Sequence, residues 1–139
     1  MGNIELYNEW MKYARADYIA AGYLTSHHPV QLEIVCFLCQ QAGEKALKAV
    51  LAYHDERIPR THNLYELLLL CEVHYPDIST ELAGQADQLT NFAVVTRYPN
   101  DEMTVEKADM ELALKHADQV LSRVSAIVTD CADGSECVD

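Results

Sequence analysis

Gln41-Ala42-Gly43-Glu44-Lys45-Ala46-Leu47-Lys48-Ala49 sits in the most apolar segment of the chain, about Val30 to Tyr53, and its reading decides the fold. The run is built from strong helix formers, and its charges are spaced for one helix rather than a strand. The segment is therefore expected to be a helix at the centre of the core. Its polar residues are the informative exceptions. Gln41, Glu44 and Lys48 share a stripe, with Lys45 beside it and Glu44 placed N-terminal to Lys48 in the favourable i, i+4 order. Two readings of that stripe stay open, a surface ion pair or the wall of a polar groove facing Arg97.

Working outward, four more segments carry helical periodicity. Ile4, Tyr7, Met11, Ala14, Tyr18 and Ala21 recur at three- and four-residue spacing, which predicts an amphipathic helix ending near Ser26 before the turn His27-His28-Pro29. After His54 the chain enters Asp55-Glu56-Arg57-Ile58-Pro59-Arg60-Thr61-His62-Asn63, a connector broken by Pro59, whose Thr61 or Asn63 can cap the next helix. That helix is expected from Leu64 to about His74. A fourth runs from Ile78 to about Val95 on the stripe Ile78, Leu82, Ala86, Leu89 and Ala93. The fifth starts after Thr104, read as its N-cap, with Ala108, Leu112, Ala117, Val120, Val124 and Ile127 on one face. Trp10, Phe37, Leu38, Leu67 and Leu89 are expected to be largely buried. Short connectors between such helices predict an all-α, antiparallel up-and-down bundle of about five helices.

Composition narrows the function. The 139 residues make one domain, residues 1–128, with 129–139 as an acidic flexible tail. Ten Lys and Arg against twenty-two Asp and Glu give a net charge of −12, which argues against non-specific DNA or RNA coating. A local basic site remains open, because Lys45, Lys48, Arg57 and Arg60 lie close together in sequence, with Arg97 further on. No apolar run approaches a membrane span, and the N-terminus lacks the pattern of a secretory signal, so a cytoplasmic protein is expected. Cys36 and Cys39 are spaced as C-x-x-C but lie in an apolar run and read as buried thiols. Cys131 and Cys137 fall in the tail, and His27-His28 reads as plain loop, so no metal site or cofactor is expected.

Thr96-Arg97-Tyr98-Pro99-Asn100 lies between the last two helices. Pro99 biases Tyr98 away from helical geometry, which presents Arg97 at a turn. Arg97 can meet an anionic ligand and Tyr98 can stack on a base, or Arg97 can pair with Glu44 and lock the bundle.

Trp10 with Ala14 and Asp17, the helix containing Gln41, Glu44, Lys45 and Lys48, the Thr61-His62-Asn63-Leu64 junction and the Arg97-Tyr98-Pro99 turn together resemble the HEPN (higher eukaryotes and prokaryotes nucleotide-binding) domain. The resemblance spans about residues 4 to 128. It implies a helical bundle, often a homodimer, of the small bacterial kind encoded beside a minimal nucleotidyltransferase in a toxin–antitoxin-like pair. Many members are metal-independent ribonucleases built on an Arg followed four to six residues later by a His. Here those positions after Arg97 hold Asp101, Glu102 and Met103. The nearest imidazole on a connector is that of His62, and without a positioned acid/base, RNA cleavage loses roughly 10²–10⁴-fold. The expectation is a non-catalytic module for a nucleotide or other anionic ligand, or for a partner protein, using Arg97, Tyr98, Lys48, Lys45, Glu44 and Gln41. The alternative is a divergent metal-independent ribonuclease with His62 as general base and Arg97 stabilising the phosphorane.

Overall fold

The computed structural model describes residues 2–95 and 104–132. It has five helices, α1 (Ile4–Leu24), α2 (Leu32–Tyr53), α3 (Leu64–Cys71), α4 (Ile78–Val95) and α5 (Lys107–Ala132), and no strand among the described residues. The all-α bundle expected from the periodicity is what forms.

α2 is the hub, packing on each of the other four helices. Its apolar residues bury all round: Val35, Cys36, Cys39, Ala42, Ala46, Leu47, Val50 and Leu51 lose essentially all contact with solvent. A helix surrounded in this way needs close approach somewhere, and Gly43 supplies it. A Cβ at that position would stand 2.9 Å from Leu64 Cδ2 and 3.2 Å from Leu89 Cδ1, so the missing side chain lets α3 and α4 seat against α2.

Helix directions follow from the bonds between ends. The Asn3 backbone N–H donates to Tyr53 O at 2.6 Å, so the start of α1 meets the end of α2 and the two are antiparallel. On α4 and α5, Glu81 pairs with Arg123, Gln85 with Gln119 and Gln88 with His116. One index climbs as the other falls, which is the register of antiparallel neighbours.

Asparagines cap the starts of α1 and α3, α2 starts after Gln31 without a side-chain cap bond, and α5 departs from the start expected after Thr104. The Asn3 side chain accepts from Leu6 N–H, and Asn63 accepts from the N–H groups of Tyr65 and Glu66. Thr61 backs up Asn63 by accepting its N–H and donating to Glu66. That last helix begins at Lys107. Asp109 reaches back to accept the Glu106 N–H at 2.9 Å, so the cap sits at Glu106 and that donor is met from within the helix.

Burial follows the expected stripes on α1 and α4. Tyr7, Met11, Ala14 and Ala21 are buried, as are Ile78, Leu82, Ala86, Leu89 and Ala93, although Ile4 is exposed. On α5 the first turns rotate away from expectation: Leu112 and Ala108 face solvent while Met110 and Ala113 enter the core. Leu67 and Leu89 are fully buried, whereas Trp10, Phe37 and Leu38 are half-buried. Ala86 and Ala93 are spent on the chain's own core. α3 ends at Cys71, short of His74, and α5 continues past 128 to Ala132.

Cys36 and Cys39 are buried free thiols, pushed up to about 12 by the apolar surroundings, so they behave as small hydrophobes. Among the described residues no helix is long and apolar enough to cross a membrane, and no cluster of metal-ligating side chains occurs.

Candidate functional site

Within the apolar girth of α2, three polar side chains lie one turn apart and bury together: Gln40, Glu44 and Lys48. A polar row inside a core is stable only if its members satisfy one another, and these do. Gln40 Nε2 donates to Glu44 Oε1 at 3.1 Å and to the His62 carbonyl at 2.9 Å. Its own Oε1 accepts from Gln41 Nε2 at 2.7 Å. Lys48 Nζ donates to Glu44 Oε2 at 3.0 Å, and its ammonium lies 6.0 Å from the centroid of the Trp10 ring.

The fourth member arrives from the α2–α3 connector. His62 Nδ1 stands 2.8 Å from Glu44 Oε1. Burial pushes the Glu44 carboxyl up, but the bonds from His62, Lys48 and Gln40, with the Lys48 charge, outweigh it and hold the group below its ordinary value. Glu44 is thus ionised and can only accept, so Nδ1 carries the proton. Nε2 lies on the opposite edge of a ring that is 51% exposed, while the Glu44 side chain beneath is 5% exposed. A buried carboxylate therefore fixes the tautomer and angle of an accessible imidazole.

Of the basic residues, Lys48 makes the i, i+4 pair with Glu44, buried rather than at the surface, and Lys45, beside the stripe, pairs with Asp17 of α1 at 2.5 Å. Among the described residues Gln41 bonds to the network through Gln40. Arg97 and Tyr98 lie outside the described residues, so the polar groove expected between Arg97 and the stripe does too. Gln40 and Asp17 were missed as partners. A signal for Gln40 existed, since 40, 44 and 48 form an unbroken i, i+4 row of polar residues in a largely apolar helix.

The sequence profile described as the HEPN domain matches residues 7–127. The chain belongs to the HEPN domain family. Two solved structures resemble this HEPN domain over nearly their whole lengths. TT1696 from Thermus thermophilus is similar with a TM-score of 0.74 and 25% identity, over 86% of this chain and 96% of that one. ST0689, an archaeal HEPN homologue, is similar with a TM-score of 0.71 and 25% identity, over 88% of this chain and 97% of that one. No curated protein matches this HEPN domain in sequence.

Proposed function

We propose that this HEPN domain binds a nucleotide without cleaving it and works beside a nucleotidyltransferase in a toxin–antitoxin-like pair. The observation that carries the reading is the Glu44–His62 pair, a half-exposed imidazole anchored to a buried, fully bonded network. Such an anchored group meets a ligand at little ordering cost, and its free Nε2 edge offers one directed polar contact. Lys48 and Glu44 shape the wall behind it, with Gln41 joined through Gln40 and Lys45 turned to Asp17 of α1, and Arg97 and Tyr98 are proposed to add a guanidinium fork and a stacking ring. Asp101, Glu102 and Met103 at the positions after Arg97 speak against cleavage. A homodimer belongs to the same proposal on family grounds. Its candidate face is the exposed row of Tyr65 and Leu69 on α3 with Val73 in the turn after it, and one monomer mass by light scattering at the highest usable concentration removes it.

One observation favours a second reading. With Nδ1 donating to Glu44, the neutral imidazole presents a lone pair on Nε2, the state a general base requires. Calorimetric titration of ATP, GTP and their mononucleotides, run beside a metal-free RNA-cleavage assay, separates the two. The binding module predicts nucleotide affinity that weakens in Arg97→Lys, where charge is kept and the planar fork is lost, and no cleavage. Equal affinity in Arg97→Lys removes Arg97 from the site. Absence of any nucleotide binding sinks the reading, and metal-free cleavage abolished by His62→Ala replaces it with the ribonuclease.

A further inference from the structure

The α2–α3 connector is tied down at both ends. Near its start Asp55 adopts φ 54°, Asn3 Nδ2 donates to Asp55 Oδ1 at 3.0 Å, and the Glu56 N–H donates to Leu51 O at 2.9 Å. Glu56 Oε1 is 3.1 Å from His74 Nε2. At the far end the His62 carbonyl and ring are both held, by Gln40 and Glu44. The connector therefore runs back along α2 from the level of Leu51 to that of Gln40, with Arg57-Ile58-Pro59-Arg60 suspended between fixed points.

These four residues, with Glu56 and Leu70, line a cleft. Arg57 and Arg60 are exposed, and among the described residues neither guanidinium has a carboxylate at ion-pair distance. Glu56, the acid in the same cleft, is engaged by His74. In a chain with twenty-two acids and ten Lys and Arg, two arginines against the single acid Glu56 leave the lining of this cleft with one net positive charge. Guanidinium forks match phosphate oxygens bidentately, and a backbone pinned on both sides with φ locked at Pro59 keeps them preorganised. Ile58 and Leu70 add apolar surface beside the charge. The lysine stripe offers no such excess, because each of its two cations already holds a carboxylate.

We infer that Arg57 and Arg60 form the phosphate clamp of this domain, taking the diphosphate of a nucleoside diphosphate while the base lies against Leu70. The inference rests on the nucleotide-binding reading above and places its charge recognition on the connector. ADP and inorganic pyrophosphate are titrated calorimetrically into wild type, Arg57→Gln, Arg60→Gln, the double variant, Leu70→Ser and, as a distant charge control, Lys115→Gln. Circular dichroism checks that each variant is folded. Each single arginine variant is expected to lose about tenfold in ADP affinity and the double about a hundredfold, with Lys115→Gln unchanged. Leu70→Ser is expected to weaken ADP and leave pyrophosphate unaffected. No ADP binding by wild type overturns the nucleotide reading and the clamp together. ADP affinity that survives in the folded double variant, or that falls equally in Lys115→Gln, overturns the clamp alone, and equal loss of ADP and pyrophosphate in Leu70→Ser overturns the placement of the base.

Discussion

Two polar seams hold helices in this domain, one buried in α2 and one exposed between α4 and α5. In the first, Gln40, Glu44 and Lys48 are each less than a tenth exposed and bond to one another and to His62. In the second, Gln85 bonds Gln119, Gln88 bonds His116 and Glu81 pairs with Arg123, whose side chains are 40% and 38% exposed. The bond types are alike and their consequences differ. Water reaches the Glu81 and Arg123 side chains and can replace a partner lost there, whereas a partner lost from the inner seam strands a charge in the core. The inner seam is therefore expensive to build, and it is the one that presents an imidazole outward.

The largest effect expected from this contrast is at Glu44. Glu44→Leu leaves Lys48 and His62 without their acceptor and is expected to cost about 3–5 kcal/mol by urea denaturation. The double variant Glu44→Leu/Lys48→Met removes both charges and should regain much of that loss. A double variant as unstable as the single one would show that shape, rather than charge pairing, governs the seam.

Acid tests the inner seam next. Because the folded state holds Glu44 below its ordinary value of 4.5, the network contributes stability that is complete above that value. It is lost as pH falls past it and through the lowered folded value. Glu44→Gln should flatten this part of the acid limb. An acid limb identical in wild type and Glu44→Gln would contradict the assignment.

Gly43→Ala probes the packing beside the inner seam. The new methyl meets Leu64 and Leu89 at 2.9 and 3.2 Å, and overpacking of about 1–3 kcal/mol is offset by about 1 kcal/mol of helix propensity. A net loss of about 1 kcal/mol in chemical denaturation is expected, and a stabilised variant would show that the leucines yield freely. The smallest effect belongs to the outer seam: Glu81→Gln is expected to change stability by no more than about 1 kcal/mol and to do so less at high salt.

How much of this was legible in sequence varies by cause. The start of α3 was readable because Asn63 and Thr61 do locally what their types favour. Its end was not, because the ring of His74 is drawn out of the helix to stack on His54 at 3.8 Å and to meet Glu56. The exposed Leu112 and the cap at Glu106 show the same limit on α5, where neighbours decide which face turns inward. At the site, Glu44 and Lys48 were visible as an i, i+4 pair. The approach of His62 was not, since eighteen residues of chain separate it from Glu44 and only tertiary packing joins them.

The most direct test of the central claim, that the buried seam presents His62 to a nucleotide, is the side-chain ¹⁵N spectrum of the histidines with and without ADP. The free protein should show His62 protonated at Nδ1, as the bond to Glu44 requires. Saturating ADP should shift the Nε2 resonance of His62 and leave His116, on the outer seam with Gln88, where it was. A His62 resonance unmoved by ADP, or one that moves no more than that of His116, would contradict the account.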